Sequence, residues 1–265
     1  MKPASKSWKR KRLKFKGSEE GQGEITGISI SSCTMPKKRK SKKGQCIYCG
    51  ITTKLTKDHV IPKGLFVRPY PSNLITVPAC SDCNEAKSKN DDFLRDFLIC
   101  DAFASNSPIA QSIFDEKMTR SITRNSSQFS RIAMSEARYE PLLTRAGIYL
   151  GTFPTIPIDE ERIKNIFSVI VRGLYYDARH KRIPDNYIFE VLGYRPWDFK
   201  QVWEYYKKLH LNGPRVLGKV FGCAFVYAEE DEFITTWLMW FYESVFFSVS
   251  SNNPEFQMPS VTQTT

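Results

Sequence analysis

The chain of 265 residues has only three histidines, and it carries no internal repeat, no glycine-rich phosphate loop and no nucleophile elbow. Those absences remove the nucleotide-binding folds that cradle phosphate on a glycine turn, and the hydrolases that present serine on a sharp strand-to-helix turn. Long apolar runs are missing too. The most apolar stretch, FITTWLMWFYESVFFSVS, contains Glu243 and follows EEDE, which makes it too polar and too short for a membrane span. The basic opening MKPASKSWKRKRLKFKG lacks the apolar segment of a secretory signal. Acidic residues are scarce in one region: residues 1–45 hold three Glu against 14 Lys or Arg, whereas the whole chain has 28 acidic and 39 basic residues. The net charge of +11 therefore belongs to that region, and the remainder is balanced. Runs such as KRKRLKFK and PKKRKSKK cannot bury enough apolar surface to fold, so residues 1–44 are expected to be a disordered basic arm. Such an arm neutralises phosphates and raises affinity for nucleic acid without reading its sequence.

What the chain does have is two matched cysteine pairs. Cys46 and Cys49 are spaced C-x2-C, and Cys80 and Cys83 repeat the spacing. Four thiolates presented as two such knuckles suit a closed tetrahedral Zn²⁺ site, in preference to a reduced thiol set in a core or a redox pair. Cys33, Cys100 and Cys223 are scattered singles, a usage that fits a reducing compartment, so the expected location is cytoplasmic. With 41% hydrophobic and 13% aromatic residues the chain can build a core without disulfides. Between the knuckles lie KDHVIPKG and NLITVPAC, which read as a strand ending near His59, a loop interrupted by prolines, and a second strand. A helix follows in SDCNEAKSKNDD, with Ser81 or Asp82 as the expected N-cap.

The run from Cys46 to Asn90 resembles the HNH endonucleases and their ββα-metal module. His59 within DHVIPKG matches the first position of the motif, Asn73 within NLITVPAC the second, and Asn84 after the second knuckle the third, where many members have histidine. The resemblance implies that His59 activates water, that Asp58 and Asn84 hold a catalytic divalent ion such as Mg²⁺ or Mn²⁺, and that Asn73 braces the loop bearing His59. Histidine suits the base role because its ordinary pKa of about 6.5 lets it accept a proton near neutrality. Asp58 precedes His59 on an extended segment, so the two side chains should leave on opposite faces unless the strand bends there. Lys63, Arg68, Lys87 and Lys89 are the expected phosphate contacts.

Beyond Asn90 no further catalytic signature occurs. A helical segment is expected through DFLRDFLICDAF and again over residues 108–138, where Lys117, Arg120, Arg124 and Arg131 could line a groove or a solvated face. Helices are expected at 159–180 and through WDFKQVWEYYKKLH, with His180 and His210 as ordinary C-terminal charges. The last third, VLGKVFGCAFVYAEE onwards, reads as antiparallel strands. The overall expectation is an α+β protein: a basic arm at 1–44, a zinc-stapled nuclease module at 45–92, and a helical then β-rich region at 93–265 that offers a surface for homo-oligomers. Its partners would be DNA, with RNA as the alternative, and no membrane. A non-catalytic zinc protein that binds nucleic acid is the competing function, and the Asp58–His59 pair distinguishes the two.

Overall fold

The structure, a computed structural model, describes residues 43–101, 104–120, 132, 135–144 and 146–255. The basic arm lies outside the described residues except for Lys43 and Gly44, as do Cys33, Phe103, Arg124 and Arg131. The fold is α+β. Strands β1 (Lys43–Gln45), β2 (Thr52–His59) and β3 (Thr76–Cys80) form an antiparallel sheet in the order β1-β2-β3. A 3₁₀ turn at Lys63–Leu65 sits in the loop between β2 and β3. Helix α1 (Ser81–Ile99) leaves β3 without a break.

Two sequence expectations are corrected here. The cap of α1 is Cys80, whose Sγ accepts the backbone N–H of Cys83 at 3.4 Å, so neither Ser81 nor Asp82 fills that role. The acceptor is a sulfur because the knuckle itself makes the turn into the helix. In addition, α1 runs through Phe93, Leu94 and Leu98 as one helix, so the expected module boundary at residue 92 falls inside it.

Helix α2 (Pro108–Ile113) passes into a π-helical turn at Phe114–Met118. The helix expected over 108–138 meets β4 (Arg138–Leu143) at its far end, and β4 pairs with β5 (Tyr149–Thr155) as a separate hairpin; residues 121–131, 133 and 134 of that expected helix lie outside the described residues. Helix α3 (Glu160–Arg179) begins as its sequence foretells: Asp159 caps the N–H of Arg162 at 3.0 Å, and Glu160 and Glu161 lie at the positive end of the helix dipole. Ile163, Ile166, Phe167, Ile170, Val171 and Leu174 recur at helical spacing and give it one continuous apolar stripe.

Strand β6 (Ile188–Tyr194), helix α4 (Pro196–Lys207) and strands β7 (Asn212–Leu217), β8 (Phe221–Tyr227), β9 (Thr235–Phe241) and β10 (Val245–Asn252) complete the chain. These five strands form an antiparallel sheet in the order β6-β10-β9-β8-β7; the β-branched and aromatic runs indicated β8, β9 and β10, while β6 and most of β7 lie before the stretch read as strands.

The described residues make one compact unit, and α3 is its centre. One side of α3 meets α1 and β3, and another meets β6 and β10. Phe167 packs on Phe247 at 4.7 Å between ring centroids and edge-on to Phe241 at 6.2 Å. Gly173 faces Val60 so closely that a Cβ would lie 2.7 Å from a valine methyl, so glycine is required by space at that crossing. The cysteine-knuckle segment and the C-terminal sheet thus share one hydrophobic core. Among the described residues no helix is long and apolar enough to cross a membrane.

Candidate active site

The four knuckle cysteines converge. Their Sγ atoms all lie within 4.8 Å of one another, and Cys49 and Cys80 are 3.8 Å apart. Two thiolates about 2.3 Å from a tetrahedral Zn²⁺ stand about 3.8 Å from each other, so the donor set fits that ion in kind, number and spacing. Burial raises the Cys46 thiol, but backbone N–H groups of Cys49, Cys80 and Tyr48 outweigh it and bring the group down to about 7. Burial pushes Cys83 upward instead. Thiols this crowded cannot all ionise without a cation among them, and a divalent metal removes that conflict.

The rest of the site lies in the seam where α1 crosses β2. On β2 the helix-facing residues are Thr56 and Asp58, two apart, and on α1 they are Asn84, Lys87 and Asp91, at spacings of three and four. Asn84 donates from Nδ2 to the Thr56 hydroxyl at 3.1 Å. Asp58 is only 4% exposed; its Oδ2 accepts the Tyr48 hydroxyl at 2.6 Å, and its Oδ1 stands 3.5 Å from the Lys87 ammonium. Lys87 also reaches Asp91 at 3.4 Å and donates to the backbone carbonyl of His59 at 2.6 Å. Burial raises the Asp91 carboxyl, with Asp58 adding to the effect and Lys87 opposing it. Burial and then Asp58 raise the Tyr48 phenol, which is therefore a permanent donor.

Lys87 was expected on a phosphate-facing surface. It is buried instead, because its place on α1 turns it into the seam with two carboxylates, and its positive charge is spent inside the protein. Lys89 is exposed and paired with Glu85 at 3.2 Å.

His59 closes the β2–β3 ladder, paired with Thr76, and is half-buried. Burial lowers the imidazole pKa below 6.5, and Lys63 and Lys87 lower it further against the opposing pull of Asp58. The ring is therefore held neutral at neutral pH. Lys63 and Arg68 are exposed on the loop that follows, and both lie over Tyr70, at 5.8 and 5.6 Å from its ring centroid.

Asn73 is exposed on the turn into β3. Its carboxamide makes no hydrogen bond to the His59 loop among the described residues. Distant residues brace that loop. Lys117 donates to the carbonyls of Gly64 at 2.8 Å and Phe66 at 3.1 Å, and Tyr242 donates to that of Leu65 at 3.2 Å. Arg182 fixes the first knuckle through the Tyr48 carbonyl at 3.0 Å.

Sequence reasoning did not single out Thr56, Tyr48, Asp91 or Tyr242, and it read Lys117 as lining a groove or a solvated face, whereas its ammonium is turned onto the His59 loop. Tyr48 stands inside the first knuckle and Asp91 is four residues from Lys87, so both were within reach of spacing arguments. Lys117 and Tyr242 contact the loop across 51 and 177 residues and had no local signal.

The HNH endonuclease family model matches residues 46–90, the same stretch that holds the cysteine cluster and the β2–α1 seam. No curated protein matches the chain, and no solved structure does. The family match points to nuclease activity on nucleic acid, carried by a ββα element stapled by a candidate zinc site.

The donors in the seam also suit a hard cation in kind. Asp58 offers a carboxylate from the strand, and Asn84 a carboxamide oxygen from the facing helix, left open because its nitrogen is the atom turned to Thr56.

Proposed function

We propose that this chain is a metal-dependent endonuclease that hydrolyses phosphodiester bonds in DNA. The observation that carries the reading is the setting of His59. It is the half-buried last residue of β2, its imidazole is held neutral beside Lys63, and it lies in the segment that matches the HNH endonucleases. A neutral imidazole can take a proton from the attacking water, which generates the nucleophile without an extreme environment. Lys63 and Arg68 draw the phosphate to the rim of the site. Asp58 and Asn84 are the residues that would hold a Mg²⁺ or Mn²⁺ ion, and Asn73 keeps the position the motif gives it. When bound, such an ion supplies Lewis-acid stabilisation of the charge on the phosphate and on the departing oxygen. The zinc cluster takes no chemical part; it fixes the start of α1, and with it Asn84, relative to β2.

A second reading, a non-catalytic zinc protein that binds nucleic acid, draws support from Asp58, whose carboxylate already has Tyr48 and Lys87 as partners. One experiment decides between them. Supercoiled plasmid is incubated with the zinc-loaded protein in Mg²⁺ or Mn²⁺, with EDTA as control. Nicked or linear product that appears with metal and vanishes in EDTA supports the nuclease, and DNA retention without cleavage under every metal condition supports the binding protein.

A further inference from the structure

We propose that Thr56 is a positioning residue that decides which atom of Asn84 faces the catalytic cation. This rests on the reading of Asn84 as a ligand. A carboxamide presents an oxygen and a nitrogen of nearly equal shape, and only the oxygen can ligate a hard cation, so a half-turn of the group switches it from ligand to non-ligand.

The hydrogen bonds of Thr56 remove that ambiguity. Its Oγ1 lies 3.0 Å from the backbone carbonyl of Ala79, its partner across the β2–β3 ladder. A carbonyl only accepts, so the single hydroxyl proton of Thr56 is committed to it. Towards Asn84, 3.1 Å away, the hydroxyl can offer nothing but lone pairs. The group facing it must therefore be Nδ2, and Oδ1 is turned the other way. Oδ1 of Asn84 has no hydrogen bond among the described residues. The β-branched side chain of Thr56 is stiff about χ1, and Asp58 stands two residues along on the same face of β2. Thr56, Asn84 and Asp58 thus act in one seam, with Thr56 orienting and the other two ligating.

The test is Mn²⁺ binding to the zinc-loaded full chain, read from the electron paramagnetic resonance signal of the free ion, with zinc content and melting temperature recorded for each variant. Thr56→Val keeps the shape and removes the hydroxyl, at an exposed strand position where valine is a good strand former. Mn²⁺ affinity should fall about 3- to 10-fold, the loss of one net hydrogen bond. Thr56→Ser should bind like the parent. In an Asn84→Asp background Thr56→Val should change affinity less than twofold, because either carboxylate oxygen can ligate.

Undiminished Mn²⁺ binding by Thr56→Val, while Asn84→Ala loses it, overturns the role of Thr56 and leaves Asn84 as the ligand. Equal losses in Thr56→Val and Thr56→Ser also overturn it, since the hydroxyl would then be irrelevant. Binding that survives Asn84→Ala removes the ligand reading itself, and the positioning role with it.

Discussion

Two sites share residues 46–90 and are held in opposite ways. The cysteine cluster is built from four donors of one kind, spaced in two identical pairs, with Cys80 also capping the helix that follows. The β2–α1 seam is built from unlike groups: a carboxylate, a carboxamide, an ammonium and a phenol, each already engaged by a neighbour. The first arrangement suits a metal cage, whose loss is expected to be a loss of structure. The second is a set of polar groups that a folded scaffold holds in place, so single members should be removable at a cost in chemistry before a cost in fold.

The sharpest way to break this comparison is to remove a cage residue. Cys80→Ala deletes a metal donor and the cap of α1 together. Structural zinc contributes apparent binding free energy of about 10–16 kcal/mol, comparable with the whole stability of a domain. The knuckle segment shares one core with α3 and the C-terminal sheet, so the expected result is loss of zinc and of cooperative melting throughout residues 40–265. Retained zinc with an unchanged melting curve would remove the cage from the account.

A smaller effect is expected from Lys87→Met, which leaves Asp58 and Asp91 facing each other without their cation. Breaking a buried ion pair costs about 3–5 kcal/mol, and the partial exposure of Asp91 places this one at the lower end. Adding Asp58→Asn should restore part of the loss. Urea unfolding of the zinc-loaded proteins measures both, and a Lys87→Met change near zero would mean that the seam is not held by this pair.

The smallest effect concerns the base. The His59 pKa is lowered by burial and then by Lys63, so the acid limb of cleavage should lie below pH 6.5, because the neutral imidazole is the active form. Lys63→Ala removes a like charge, raises the His59 pKa and should move the acid limb to higher pH with zinc content unaltered. A limb that stays in place or moves down contradicts the assignment.

The contrast also explains what could be read from the sequence. Donors of one kind at fixed spacing leave a visible signature, which is why Cys46, Cys49, Cys80 and Cys83 were legible. Helix α3 was legible for a similar reason: Asp159, Glu160 and Glu161 open it and a regular apolar stripe follows. The seam was legible only in part. The motif indicated Asp58, His59 and Asn84, but nothing in it said that Lys87 would turn inward, since a lysine on an amphipathic helix usually faces water and only the crossing of α1 over β2 turns this one. The N-cap was misread because Ser81 and Asp82 are the usual cap types, while the sulfur of Cys80 was already in place. The single core was not legible at all. Its determining contacts join Val60 to Gly173 and Tyr48 to Arg182, and contacts across such separations leave no periodic trace in either segment.

The most direct measurement of the central claim is made on His59→Ala. The account predicts a protein that holds its zinc, melts with the parent and binds DNA, yet cleaves plasmid in Mn²⁺ about 10²- to 10⁴-fold more slowly, the usual contribution of a positioned base. Parent-like cleavage by a folded, zinc-loaded His59→Ala protein would contradict it.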